Sequence, residues 1–169
     1  MTTPRVYVGT YGKYNAGNLY GRWLDLSAYA DRDSFYAACA ELHTGEHDPE
    51  FMFQDYEGFP RSLYCESDVS QELIEYANLD DDERELLSVY HEGVDSDADI
   101  ERVREAYQGR YDSEADWAEQ FLEDTGGLEG VPEHLRNYID YEAYARDARL
   151  GGEVVFVRHE GELWVFWNN

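Results

Sequence analysis

EVVFVRH (residues 153–159), the pair Glu160-Gly161 and ELWVFWN (residues 162–168) read as two strands joined by a two-residue turn. Val, Phe and Trp crowd both runs, and the glycine supplies the backbone freedom a tight hairpin needs. Upstream the pattern lengthens to helical spacing. A helix with Asp140 near its start runs to about Leu150, where Gly151-Gly152 ends it. Pro132 suits the first turn of a preceding segment. Ser113 with Asp116 opens another helix, which turns Trp117, Phe121 and Leu122 inward and stops at Gly126-Gly127. The spacing also leads us to expect Tyr138, Ile139, Tyr144 and Leu150 to pack as core.

The middle of the chain is helical and comes in short pieces. Val69, Leu73, Ile74 and Ala77 form one stripe, with Ser67 or Asp68 before it. Asp80 with Glu83 resembles a capping box for a helix carrying Leu86, Leu87 and Tyr90 and stopping before Gly93. Ser96 is the expected cap of a third helix, with Ile100, Val103 and Tyr107 on one face and Gly109 after it. The first third is β with one helix. Residues 5–11 and 19–26 are the strands, separated by the turn-rich KYNAGN; Asp31 caps a helix over residues 32–43 with Phe35, Cys39 and Leu42 inward; residues 51–56 form a further strand. The expected fold class is α+β in three small units, residues 1–61, 62–103 and 104–169.

Charge dominates the composition. The 169 residues carry 38 acids against 13 basic residues, of which only Lys13 is a lysine, for a net charge of −25. Binding the outside of DNA or RNA needs clustered Lys and Arg, so no nucleic-acid partner is expected, and no membrane surface either. Disorder is excluded by 15 Tyr, 7 Phe and 4 Trp, since disordered acidic chains are poor in aromatics. No apolar run reaches membrane-spanning length, the N-terminus lacks a signal-peptide pattern, and two cysteines are too few for a secreted scaffold, so a reduced cytoplasmic protein is expected. Net charge is −5 over residues 1–60, −11 over 61–103 and −9 over 104–169, so it lies within amphipathic helices instead of a tail. Asp112, Asp116, Glu119 and Glu123 recur at i, i+4, i+7 and i+11, opposite Trp117 and Phe121.

Catalytic and metal patterns fail in detail. Asp95, Asp97 and Asp99 alternate, but a calcium loop starting at Asp95 would place Ile100 where glycine is required and Ala106 where a bidentate glutamate is required. Asp80, Asp81, Asp82 and Glu83 read as carboxylates opposing a helix dipole. His43 and His47 have the spacing of a zinc pair, but Gly45 breaks the helix that would align them. Neither GxSxG nor GxxxxGK occurs. No enzyme, cofactor or metal is expected.

Such a surface costs stability through self-repulsion. Three purposes could account for it: halophilic adaptation, service as an acidic partner of basic proteins, or imitation of a nucleic acid. Duplex DNA carries one charge per ~1.7 Å, so the net charge of this chain matches about 42 Å, or roughly 12 base pairs. The Asp112–Glu123 stripe covers about 16 Å at ~1.5 Å per residue. Charge alone does not choose among the three.

Two stretches do. VYVGTYGKYNAGNLYGRWLDL, followed by AELH and FMFQDYEGFP, and VPEHLRNYIDYEAYARDARLGGEVVFV closely resemble the ArdA antirestriction family of plasmids and conjugative transposons. The resemblance implies an elongated DNA-mimicking homodimer that inhibits type I restriction–modification enzymes by occupying the DNA groove of the methyltransferase core. It places an antirestriction motif, associated with the dimer region, within residues 126–150. We take Val131, Pro132, Leu135, Tyr138, Asp140, Tyr141 and Tyr144 for that region. Helical spacing suggests a mimic surface of Glu72, Glu75, Asp80, Asp81, Asp82, Glu85, Asp95, Asp97, Asp99, Asp112, Asp116, Glu119 and Glu123. The rival expectation is a halophile-adapted or metal-binding acidic α+β enzyme.

Overall fold

In the computed structural model, which describes residues 2–168, the strand-forming runs and helical stripes assemble into two units, Met1–Arg84 and Glu85–Asn169. The fold is mixed α+β, with eight α-helices and two three-stranded antiparallel sheets among the described residues.

In the first unit, β1 (Arg5–Thr10) is the central strand, and Val6 and Val8 alternate onto one buried face. The helix α1 (Tyr11–Asn15) follows at once; then β2 (Arg22–Asp25), α2 (Arg32–Leu42), β3 (Phe51–Glu57) and α3 (Gln71–Asn78). The sheet order is β2-β1-β3, with a bulge at Gln54 of β3, opposite the Tyr7–Val8 step of β1. Asp31 caps α2, accepting a 2.8 Å bond from the Ser34 amide, and that bond holds its carboxyl below the usual range. Phe35 of α2 meets Phe53 of β3 at 5.9 Å between ring centres, and Leu73, Ile74 and Ala77 of α3 complete the core.

KYNAGN departs from its expected open turn. Thr10 accepts from the Lys13 amide at 3.1 Å and starts α1, which ends in a left-handed Gly17 (φ 77°). The cap of α3 is Ser70, not Ser67 or Asp68, because the Asp68 carboxylate is taken by Arg32 and by the Tyr36 hydroxyl.

The two cysteines differ sharply. Cys39 is fully buried, and burial pushes its thiol up to about 12. Cys65 is exposed, and the Ser67 hydroxyl holds its thiol below the ordinary value. A disulfide-exchange reagent at neutral pH is expected to titrate one thiol quickly and the second only on unfolding. Two fast thiols in the native protein would contradict the core around α2.

The division between the units falls inside α4 (Asp81–Gly93). Asp80 and Glu83 do form the capping box: the Glu83 amide donates to Asp80 at 2.8 Å and the Asp80 amide donates to Glu83 at 3.4 Å. The second unit continues with α5 (Ile100–Ala106), β4 (Tyr107–Tyr111), α6 (Glu114–Asp124), α7 (Glu133–Arg136), α8 (Tyr141–Leu150), β5 (Val154–His159) and β6 (Glu162–Trp167). The sheet order is β4-β6-β5. The β5–β6 turn puts Glu160 (φ 50°) and Gly161 (φ 83°) both in the left-handed region, the geometry that matches strand twist.

β6 is buried on both faces. Leu163 and Val165 pack with Trp117 and Ala118 of α6 and Ala145 and Ala148 of α8. On the other side, Phe166 meets Tyr90 of α4 at 5.0 Å and Tyr107 at 5.7 Å. This two-sided burial explains why ELWVFWN is apolar without strict alternation.

Three expectations in this unit change. α5 is capped by Asp99, which accepts from the Arg102 amide at 2.9 Å, not by Ser96. Tyr107 leaves the helix and begins β4, because pairing with β6 and ring contacts to Trp164 and Phe166 outweigh one more helical position. Tyr138 and Leu150 are not core: they are 84% and 72% exposed. α8 buries its alanine face, Ala145 and Ala148, so Leu150 falls outside it, and Tyr138 lies between helices.

Candidate functional site

Helix starts dictate where the carboxylates stand. Acids favour first turns, where they oppose the dipole, and the opposite faces must bury apolar side chains. In the first unit, Glu72 and Glu75 stand exposed on α3, whose other face is Leu73, Ile74, Tyr76 and Ala77; Asp80, Asp81 and Asp82 stand exposed around the start of α4. Arg84, buried beneath them, donates to the Ala77 carbonyl at 2.6 Å and lies 3.4 Å from Asp81.

In the second unit, Glu85 is half-buried, with Oε1 3.5 Å from His159 Nε2. Asp95 is also half-buried: it accepts from the Asp97 amide at 3.0 Å and pairs with Arg102 at 3.0 Å. Asp97 and Asp99 are exposed, and Asp99 serves as the cap of α5. DSDADIE is therefore a turn followed by a helix start.

A groove along α6 gathers a further set. Asp112, Asp116, Glu119 and Glu123 are all exposed and, with Arg110, Tyr111, Gln120 and Glu162, line an open groove of about 490 Å³. Asp112 precedes the Ser113 cap, so strict helical spacing begins at Asp116, yet the groove still collects all four. Glu162 joins them from β6. Sequence reading missed it because β4, the strand that sets this edge, shows no strand signal of its own and begins at Tyr107, the expected end of a helix. Arg110 is the cation of the groove; it lies 3.4 Å from Glu162 and sits 4.2 Å above the Trp164 ring.

The segment between α6 and α8 divides into inner and outer residues. Val131, Tyr141 and Tyr144 are half-buried, and Tyr144 sits 6.4 Å from the Trp117 ring. Pro132 precedes α7, Leu135 is 44% exposed and Tyr138 more so. Asp140 caps α8, accepting from the Ala143 amide at 3.0 Å.

Sequence reading also missed a polar cluster in the first unit. Lys13 Nζ donates to His43 Nδ1 at 2.6 Å and to Glu46 at 2.8 Å, while Thr10 Oγ1 donates to Glu46 at 2.9 Å and His43 Nε2 donates to the Val8 carbonyl at 3.1 Å. His43 is thus a buried structural side chain, and His47 stands exposed. The bond from Lys13, then that from Thr10, holds the Glu46 carboxyl below its ordinary value of 4.5. A group depressed on folding contributes stability above its unfolded value and loses it as pH falls through its folded value. Glu46→Gln is therefore expected to lower the urea midpoint at pH 7, with the gap to the parent protein narrowing below about 4.5. A gap that stayed constant with pH would exclude the ion pair.

The antirestriction protein (ArdA) family model matches residues 6–161. This chain belongs to the ArdA family. No curated protein matches it. ArdA membership makes antirestriction its functional class, and the matched span includes every acidic helix described above and ends at the turn before β6. No helix among the described residues of this ArdA chain is long and apolar enough to cross a membrane.

Proposed function

We propose that the protein inhibits type I restriction–modification enzymes by presenting carboxylates in place of DNA phosphates to the DNA groove of the methyltransferase core. The observation that carries the reading is the acidic wall of α6, where Asp112, Asp116, Glu119 and Glu123 stand exposed along one groove. The exposed acids of α3 and of the start of α4 supply more of the same chemistry. Carboxylates on this surface would meet the Lys and Arg that normally neutralise phosphates. Phosphate contacts position a protein on DNA and base contacts specify sequence, so a mimic of phosphates alone acts across enzymes with different recognition sequences.

We further propose that the acting form is a homodimer, which doubles the charge presented. Leu135, Tyr138 and Leu150 are large apolar side chains left exposed within residues 126–150, the segment in which the resemblance implies the family motif, and a second copy would cover them. The three-unit organisation, residues 1–61, 62–103 and 104–169, belongs to the same reading as a proposal.

The experiment is a competition titration on a purified type I methyltransferase core with labelled DNA, run at about 50 mM and about 200 mM salt. At low salt the protein displaces DNA near stoichiometry, and at the higher salt the inhibitory concentration rises at least about tenfold, as screening of groove contacts requires. Light scattering on the protein alone is expected to give twice the 19.7 kDa chain mass. Undiminished DNA binding at low salt under excess protein overturns the mimicry.

A further inference from the structure

Glu85, His159 and Glu160 meet in the second unit although they lie far apart in the sequence. One ligand atom from each lies within 4.8 Å of the other two. His159 ends β5 and Glu160 opens the turn, while Glu85 belongs to α4. The His159 ring stands edge-on to Trp164 at 5.9 Å between ring centres, which restricts its rotation, and Nε2 faces Glu85. Glu160 is set by the left-handed backbone of a two-residue turn. The side chains of His159 and Glu85 are 31% and 27% exposed, so this part of the site is sheltered while the turn side is open. Arg110, the neighbouring cation, sits over Trp164 and beside Glu162. Two carboxylates thus lie within 4.8 Å of a single imidazole.

We propose that Glu85, His159 and Glu160 form a binding site for a divalent transition-metal ion of the zinc class. The imidazole decides the class: magnesium and calcium favour all-oxygen shells, whereas one nitrogen and two carboxylates suit zinc, cobalt or nickel. With zinc–ligand bonds of about 2.0–2.2 Å, ligand atoms in a tetrahedron stand about 3.3 Å apart. The present spacing closes by a small rotation of the glutamates, and a water fills the fourth position. An ion held there ties α4 to the β5–β6 hairpin. The run Asp80–Asp82 offers no such selectivity, because its carboxylates are exposed neighbours without an imidazole. Sequence spacing could not reveal the site, since Glu85 and His159 are brought together only by the packing of α4 and the hairpin within the second unit.

The test is zinc binding by the full chain, measured by equilibrium dialysis in about 0.5 M NaCl with excess magnesium, where the Debye length is only a few ångströms and diffuse attraction to the acidic surface is suppressed. One zinc per chain is expected, together with a rise in melting temperature and, with cobalt, a visible absorption band. His159→Ala and Glu160→Gln are each expected to weaken binding at least tenfold. Should His159→Ala fail to fold, Glu160→Gln, on an exposed turn, decides alone. No stoichiometric zinc on the parent protein, or equal binding by the folded variants, overturns the site.

Discussion

Trp117→Ala is expected to abolish cooperative unfolding of the second unit at room temperature, or to leave it barely folded. Trp117 is 1% exposed. It stacks on Phe121 at 5.2 Å, meets Phe156 edge-on at 5.3 Å, and donates from its indole nitrogen to Gln108 at 2.9 Å. Buried Trp or Phe to Ala costs about 3–5 kcal/mol. A unit of this size has a total stability of about 4–13 kcal/mol, and self-repulsion of its acids pulls it toward the low end. Its neighbours cannot collapse into the hole, because Ala118, Ala145 and Ala148 already bring α6 and α8 close. Urea unfolding followed by far-ultraviolet circular dichroism measures the loss. Leu19→Ala, at a position 61% exposed, is the control and is expected to change stability by less than about 0.5 kcal/mol. A Trp117→Ala loss under about 1 kcal/mol would contradict the packing of α6 against the sheet.

The second large effect concerns charge. Replacing Asp112 and Asp116 by Asn and Glu119 and Glu123 by Gln in one protein is expected to raise the inhibitory concentration about 10- to 100-fold at low salt. Exposed ion pairs contribute about 0–1 kcal/mol each; four at about 0.35–0.7 kcal/mol reach the ~1.4–2.8 kcal/mol that this range represents. Asp116→Asn alone is expected to shift it no more than about threefold by the same arithmetic. The fourfold variant is also expected to melt higher than the parent, because like charges at i, i+4 repel. Unchanged inhibition by a folded fourfold variant would remove the α6 groove from the binding surface, while abolition by Asp116→Asn alone would replace a diffuse surface with a discrete site.

Local signals were legible wherever one residue type decides one geometry. Asp31 and Ser113 cap the helices they were expected to open, Asp140 stands at the start of its helix as expected and caps it, and the Glu160-Gly161 turn makes its hairpin. The signals failed where a distant partner decides. β4 exists because β6 offers it an edge, so Tyr107 and Gly109 could not be recognised from spacing. Tyr138 and Leu150 fit a helical apolar stripe, yet small Ala145 and Ala148 are buried in their stead, since close approach of α6 leaves no room for larger side chains. The acids of the α6 groove were legible as a stripe. Glu162 and Arg110, from two strands, were not, because their place depends on sheet order.

The lysine content has a practical meaning of its own. The chain has a single lysine, and its ammonium is held between His43 and Glu46, with a side chain only 21% exposed. Reagents that seek primary amines therefore find almost no target on the folded side chains. Labelling or surface coupling by that chemistry leaves the carboxylates unaltered. Chemical cross-linking of a complex must instead activate the acids, which are the groups proposed to make the contact.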